Sequence, residues 1–174
     1  MLEMNEENKK HYALTGLEMR MLNPDAKIIK YPELYDCDSV EEIFGNKRKV
    51  IILYLLQSDM IGHWTTLFLN QDGINFFDPY GVPVDYELEL LSKQRRGRLN
   101  QEQDYLKNML EPYTVIYNNI TYQDKGTATC GCYVSHRLHY SHLDDPQYFS
   151  IFASTNKRPD EIVSSWCLAK LNNL

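Results

Sequence analysis

The chain has 174 residues, 43% of them hydrophobic, a length that fits one domain and a composition that supplies an apolar core. Its formal net charge of −6 and pI near 5.3 exclude a protein whose main task is coating nucleic acid, because neutralising phosphates needs a clustered excess of Lys and Arg. The opening "MLEMNEENKKHYALTG" lacks the apolar stretch of a secretion signal and the run Val50 to Leu56 is too short to span a bilayer, so the expectation is a cytosol-like setting with four reduced cysteines.

Residues 1–13 read as flexible. "LTGLEMRML" then sets Thr15 three residues ahead of Glu18, a capping box flanked by Leu14 and Met19, and predicts a helix over Gly16 to Leu22 that "NPD" stops. "KIIKYPELYDCDSVEEIF" reads as a short extended piece, a loop holding Cys37, and a short helix capped by Asp38 or Ser39. Lys49 to Leu56 predicts a buried strand, and "GHWTTLFL" and "INFF" predict two more, joined by the turn signal "NQDG". A connection of about four residues there brings His63 opposite Asp78, at the ~5 Å spacing of facing residues on paired strands.

After "DPYGVPVD" the chain reads helical to Leu91, broken at "SKQRRGR", helical again from about Gln101 to Leu110, and extended in "YTVIYNNITY". The loop "QDKGTAT" leads into a helix from about Cys130 to His142. Helices follow near Pro146 to Ala153 and Pro159 to Leu171, the last with Asp160 and Glu161 in its first turn. This order is the α+β pattern: one domain over residues 1–174, with a small, mostly antiparallel sheet packed by helices.

Chemistry concentrates in residues far apart in the chain. Cys130 stands where a polar loop meets a helix, and unpaired N–H groups with the helix dipole stabilise a thiolate there. His63 supplies a base at a strand end, and Asp78 can hold its imidazole in one tautomer. Gln123, seven residues before Cys130, can offer an amide N–H to an oxyanion, with the Cys130 N–H as second donor.

These pieces, "GHW" at Gly62 to Trp64, "FFDPYG" at Phe76 to Gly81, Gln123, and "TCGCYV" at Thr129 to Val134, resemble the adenain family of viral maturation proteases and its relatives, the ubiquitin-like-protein-specific proteases. The order His, acid, Gln, Cys is the family's and the reverse of papain's Cys-then-His. The Gln-to-Cys spacing looks like the adenovirus branch, and an acid written as Asp looks like the deconjugating branch. The resemblance implies a papain-like α+β protease of the adenain type with its nucleophile at a helix N-terminus. Cys130 is then the nucleophile, His63 the base, Asp78 the third member and Gln123 the oxyanion residue. No cofactor and no metal are implied.

Other features have plainer readings. Cys132 reads as a core thiol, and Cys37 and Cys167 read as structural. His136, His139 and His142 recur every three residues, drift around the helix, and read as exposed rather than as metal ligands. Lys93, Arg95, Arg96 and Arg98 form a basic stretch, a solvated loop or a nucleic-acid contact. Trp64, beside the base, reads as the wall of a narrow substrate groove that favours small residues, Gly above all.

The expected function is a monomeric thiol endopeptidase that processes capsid or scaffold precursors of a virus, virophage or Polinton-like element, acting in the virion and the infected cell, cytoplasm or nucleus, with no membrane partner. The alternatives are a deubiquitinase or other ubiquitin-like isopeptidase, an acyltransferase of the same fold, and a binding module without turnover.

Overall fold

The first described helix begins at a capping box. In the computed structural model, which describes residues 11–58 and 60–174, the Thr15 hydroxyl accepts the Glu18 N–H at 3.2 Å and the Glu18 carboxylate accepts the Thr15 N–H at 2.8 Å. Helix α1, Gly16–Leu22, starts there. Most of the stretch read as flexible lies outside the described residues.

The elements continue as β1 (Lys27–Lys30), a 3-10 turn (Tyr31–Asp36), α2 (Val40–Phe44), β2 (Lys49–Leu55), β3 (Gly62–Asn70), β4 (Gly73–Phe77), α3 (Tyr86–Glu89), α4 (Lys93–Arg98), α5 (Tyr105–Leu110), β5 (Val115–Tyr117), α6 (Cys130–His139), α7 (Asp145–Ala153) and α8 (Pro159–Leu171). Ser39, rather than Asp38, caps α2 through the Glu42 N–H. The five strands lie in the order β1-β2-β3-β4-β5, antiparallel through the centre and parallel at both edges.

β2 is buried on both faces, so its alternation feeds two cores. Ile51, Leu53 and Leu55 meet Met19 of α1, Tyr133 and Leu138 of α6, Phe152 of α7 and Val163 of α8. Ile52 and Tyr54 meet Tyr31, Ile43, Leu88 and Leu106 on the opposite face. The sheet is thus covered by helices on both sides, the α+β arrangement expected. Among the described residues no helix is long and apolar enough to cross a membrane.

Several boundaries differ from the sequence reading for identifiable reasons. The β3–β4 connection is only Gln71 and Asp72, with Asn70 opposite Gly73 and Thr66 opposite Phe77. Continuing that register sets Asp78 level with Thr65, so His63 is its diagonal neighbour and not its facing partner. "KQRRGR" forms helix α4 rather than a break, because the Ser92 hydroxyl caps it by accepting the Arg95 N–H at 3.2 Å. Gln101 does not start a helix: its amide exchanges two hydrogen bonds of 2.9 Å with the backbone of Leu55, as a strand neighbour would. α6 ends at His139 rather than His142, where the Arg137 guanidinium donates to the carbonyls of Tyr140 and Leu143.

Candidate active site

Strand β3 approaches β2 most closely just before His63. A Cβ on Gly62 would lie 1.7 Å from the Tyr54 carbonyl oxygen, so only glycine fits. His63 follows, 4% exposed, and its Nε2 N–H donates to Asp78 Oδ2 at 3.0 Å. The other Asp78 oxygen accepts the Tyr80 N–H at 2.7 Å. Asn118 fixes the Asp78 backbone from both sides, accepting its N–H at 2.9 Å and donating to its carbonyl at 2.6 Å. The turn closes at Gly81, whose φ of +69° suits glycine and whose missing Cβ leaves room for the Ile120 carbonyl. The Tyr80 ring stacks on the imidazole with centroids 5.0 Å apart.

Cys130 begins α6 and lines the same cleft as the His63 imidazole. Burial alone would lower the imidazole pKa. The Asp78 carboxylate, by charge and hydrogen bond, outweighs burial together with Cys130 and holds His63 well above its usual range.

No side chain caps α6. Thr129 precedes it, but its hydroxyl donates to Asp160 Oδ1 at 2.5 Å, which leaves the first-turn N–H groups of α6 uncapped beside the thiol. Asp160 is fully buried, and its Oδ2 accepts the Asp124 N–H at 3.1 Å and the Tyr133 hydroxyl at 3.0 Å. One carboxylate therefore holds the residue after Gln123 and the residue before Cys130. Gln123 donates its amide to the Thr127 carbonyl at 3.0 Å, and its backbone N–H donates to the Pro79 carbonyl at 3.0 Å, tying this loop to the Asp78 turn.

His63, Gln123 and Cys130 line one cleft of about 350 Å³, with Trp64, Tyr80, Glu87, Ala13 and Leu14. Asp78 lies directly behind His63. The residues singled out by sequence thus converge. Trp64 has two duties, packing in the main core and walling the cleft.

No family model matches the chain. Over 155 residues it is 30% identical to "Uncharacterized protein V9" of the Sputnik virophage, in an alignment covering 84% of this chain and 88% of that protein. The chain belongs to the V9 family. Among solved structures, this V9-family chain is similar to the central domain of the uncharacterized Lpg1148 protein from Legionella pneumophila, at 15% identity and a TM-score of 0.46 over 92% of this chain and 98% of that one. It is also similar to ChlaDub1 from Chlamydia trachomatis, at 11% identity and a TM-score of 0.46 over 99% of this chain and 96% of that one.

Elsewhere in the V9-family chain one sequence reading is corrected. His136 is buried rather than exposed. Its Nδ1 lies 2.9 Å from the Tyr148 hydroxyl, and burial, with the neighbouring His139 and Arg137 charges, pushes its pKa down to about 3. His139 and His142 are exposed, as expected. Among the described residues, the side chains close enough to share a metal ion are His63, Asp78 and Glu87, not the α6 histidines. Cys132 and Cys167 are buried free thiols and Cys37 is a half-buried one. Within the basic stretch, Arg96 donates to the Gln101 and Glu102 carbonyls and to Asp104, while Lys93, Arg95 and Arg98 are exposed.

Sequence reasoning missed Asn118, Glu87 and the role of Asp160. Asp160 had a visible signal, an acid in a helix first turn, but that signal speaks only of the helix dipole. Asn118 sits in a polar run, and Glu87 in "YELELL", where nothing local marks either.

Proposed function

We propose that the V9-family chain is a cysteine endopeptidase, one catalytic domain over residues 1–174, with Cys130 as nucleophile, His63 as base, Asp78 as the group that orients the base, and Gln123 as an oxyanion donor. The observation that carries this reading is the convergence of His63, hydrogen-bonded to Asp78 at 3.0 Å, with Gln123 and Cys130 at one cleft.

In this mechanism His63 takes the thiol proton and the Cys130 sulfur attacks the scissile carbonyl. The oxyanion accepts hydrogen bonds from the Gln123 amide and the Cys130 N–H. The imidazolium, kept charged by Asp78, gives its proton to the leaving amine, and a thioester remains on Cys130. His63 then removes a proton from water, which attacks the thioester and frees the acid and the thiol. The cycle uses no cofactor.

Trp64 at the cleft wall supports a preference for small residues, Gly in particular, next to the scissile bond. The relationship to a virophage protein supports a viral setting. The substrates in this reading are capsid or scaffold precursors, cut by a monomer in the virion or the infected cell. Incubating the purified protein with the capsid precursor of its own element tests this: site-specific cleavage lost in Cys130→Ala is the expected result. Cleavage of ubiquitin-like fusions alone would assign it to the isopeptidases, and cleavage that survives Cys130→Ala would remove the nucleophile assignment.

A further inference from the structure

The mechanism leaves Glu87 unused. Glu87 is only 6% exposed, yet it lines the catalytic cleft. Among the described residues nothing hydrogen-bonds to its carboxylate, and the groups that act on it are burial first, then the His63 and Asp78 charges. One of its oxygens, an imidazole nitrogen of His63 and an Asp78 oxygen all lie within 4.8 Å of one another. A buried carboxylate that accepts no hydrogen bond costs stability, and at the cleft wall that deficit can be met by a cation that arrives from the cleft.

The turn presenting Glu87 is held in place. Asp85, two residues earlier, adopts a left-handed φ of 64°, uncommon for a residue other than glycine. Its carboxylate accepts the Tyr54 hydroxyl at 2.8 Å and the Lys107 N–H at 2.9 Å. Tyr54 is the residue paired with His63 across β2 and β3. The same strand pair therefore positions the base and the carboxylate beside it.

Chemistry decides which part of a substrate meets this group. The acyl carbonyl must face Gln123 and the start of α6, and the leaving amine must lie beside His63, which protonates it. Glu87 flanks His63, so it faces the leaving-group side. We propose that Glu87 is a specificity residue that receives a cationic side chain, Lys or Arg, carried by the substrate immediately after the scissile bond. Which bond is cut rests on the endopeptidase reading; the charge preference of the cleft does not.

Thiol modification separates the two. Cys130 is reacted with a cationic methanethiosulfonate (trimethylammonium-ethyl) and an anionic one (sulfonatoethyl), and the rates at Cys130 are read by mass spectrometry in wild type, Glu87→Gln and Glu87→Asp. Wild type should favour the cationic reagent. Glu87→Gln should lower the cationic-to-anionic rate ratio by on the order of 10-fold, and Glu87→Asp should keep most of it. A ratio unchanged in Glu87→Gln, whatever happens to the absolute rates, would overturn the proposal and make Glu87 a partner of His63 alone. Where peptides are cleaved, Glu87→Gln should raise KM for a substrate with Lys after the scissile bond relative to one with norleucine there, and equal effects on both would overturn it. Absence of all cleavage, with the cationic preference of wild type lowered in Glu87→Gln, counts against the endopeptidase reading and supports the charge preference of the cleft.

Discussion

Thr129 gives its hydroxyl to Asp160 at 2.5 Å and not to the helix that starts one residue later. A threonine in that position ordinarily satisfies the first N–H groups of its helix. Diverting it leaves those groups uncapped beside the Cys130 thiol, while Asp160 replaces the cap as the anchor of the loop.

Asp160→Asn should expose this anchoring. An amide nitrogen cannot accept, so one of the three donors loses its acceptor, at a cost of about 1–3 kcal/mol. The expected outcome is a lower urea midpoint together with a kcat loss of roughly 10-fold or more and little change in KM, since in the proposed mechanism the loop it holds acts on the oxyanion and not on ground-state binding. Steady-state kinetics beside denaturant melts separates the two effects.

Gln123→Ala should lower kcat by about 10² to 10³, the usual cost of one oxyanion donor. Single-turnover kinetics should locate the loss in acylation and deacylation alike. A loss confined to KM would remove Gln123 from the oxyanion role.

Asp78→Asn should lower the His63 pKa, because burial, which depresses it, is then no longer outweighed by the carboxylate. The sign for stability follows. With the folded pKa raised, the imidazolium contributes stability fully below the unfolded value of ~6.5, and this is lost as pH rises through the folded pKa. Imidazole titration by NMR and urea melts across that range should show both effects in wild type and neither in Asp78→Asn.

His136 titrates in the opposite sense. Its folded pKa of about 3 lies below the unfolded ~6.5, so the unfolded chain takes the proton first, and stability falls as pH drops from ~6.5 toward 3. At about 1.4 kcal/mol per pH unit the full loss is on the order of 4–5 kcal/mol. Comparing urea midpoints at neutral and mildly acid pH in wild type and His136→Gln isolates it, the variant showing a shallower decline.

The parts legible from sequence were those with local signals. α1 carried its capping box, β2 its β-branched run, β3 and β4 their turn residues, and α8 its Pro start. Of the residues expected at the site, His63, Asp78 and Cys130 each stand at the start or end of an element, and Gln123 lies in the loop that leads to Cys130. The helix carrying Cys130 was harder. Residues Gly131 through Leu138 are all buried, so α6 has no polar face and periodicity says nothing about which side meets solvent. Arg137 shows the result: its guanidinium lies 4.6 Å from the Phe68 ring centroid and 4.7 Å from that of Tyr148, partners on another strand and another helix. Glu87 and Asn118 likewise act through residues distant in the chain, which no short window contains.

The position of Asp160 also sets an order of events during synthesis. The ribosome releases His63, Asp78, Gln123 and Cys130 before the carboxylate that steadies their loop, which follows Thr129 by 31 residues. A nascent chain therefore carries thiol and imidazole without the clasp that aligns the loop between Gln123 and Cys130. In the proposed mechanism the loop between Gln123 and Cys130 is therefore aligned only once α8 has packed against α6.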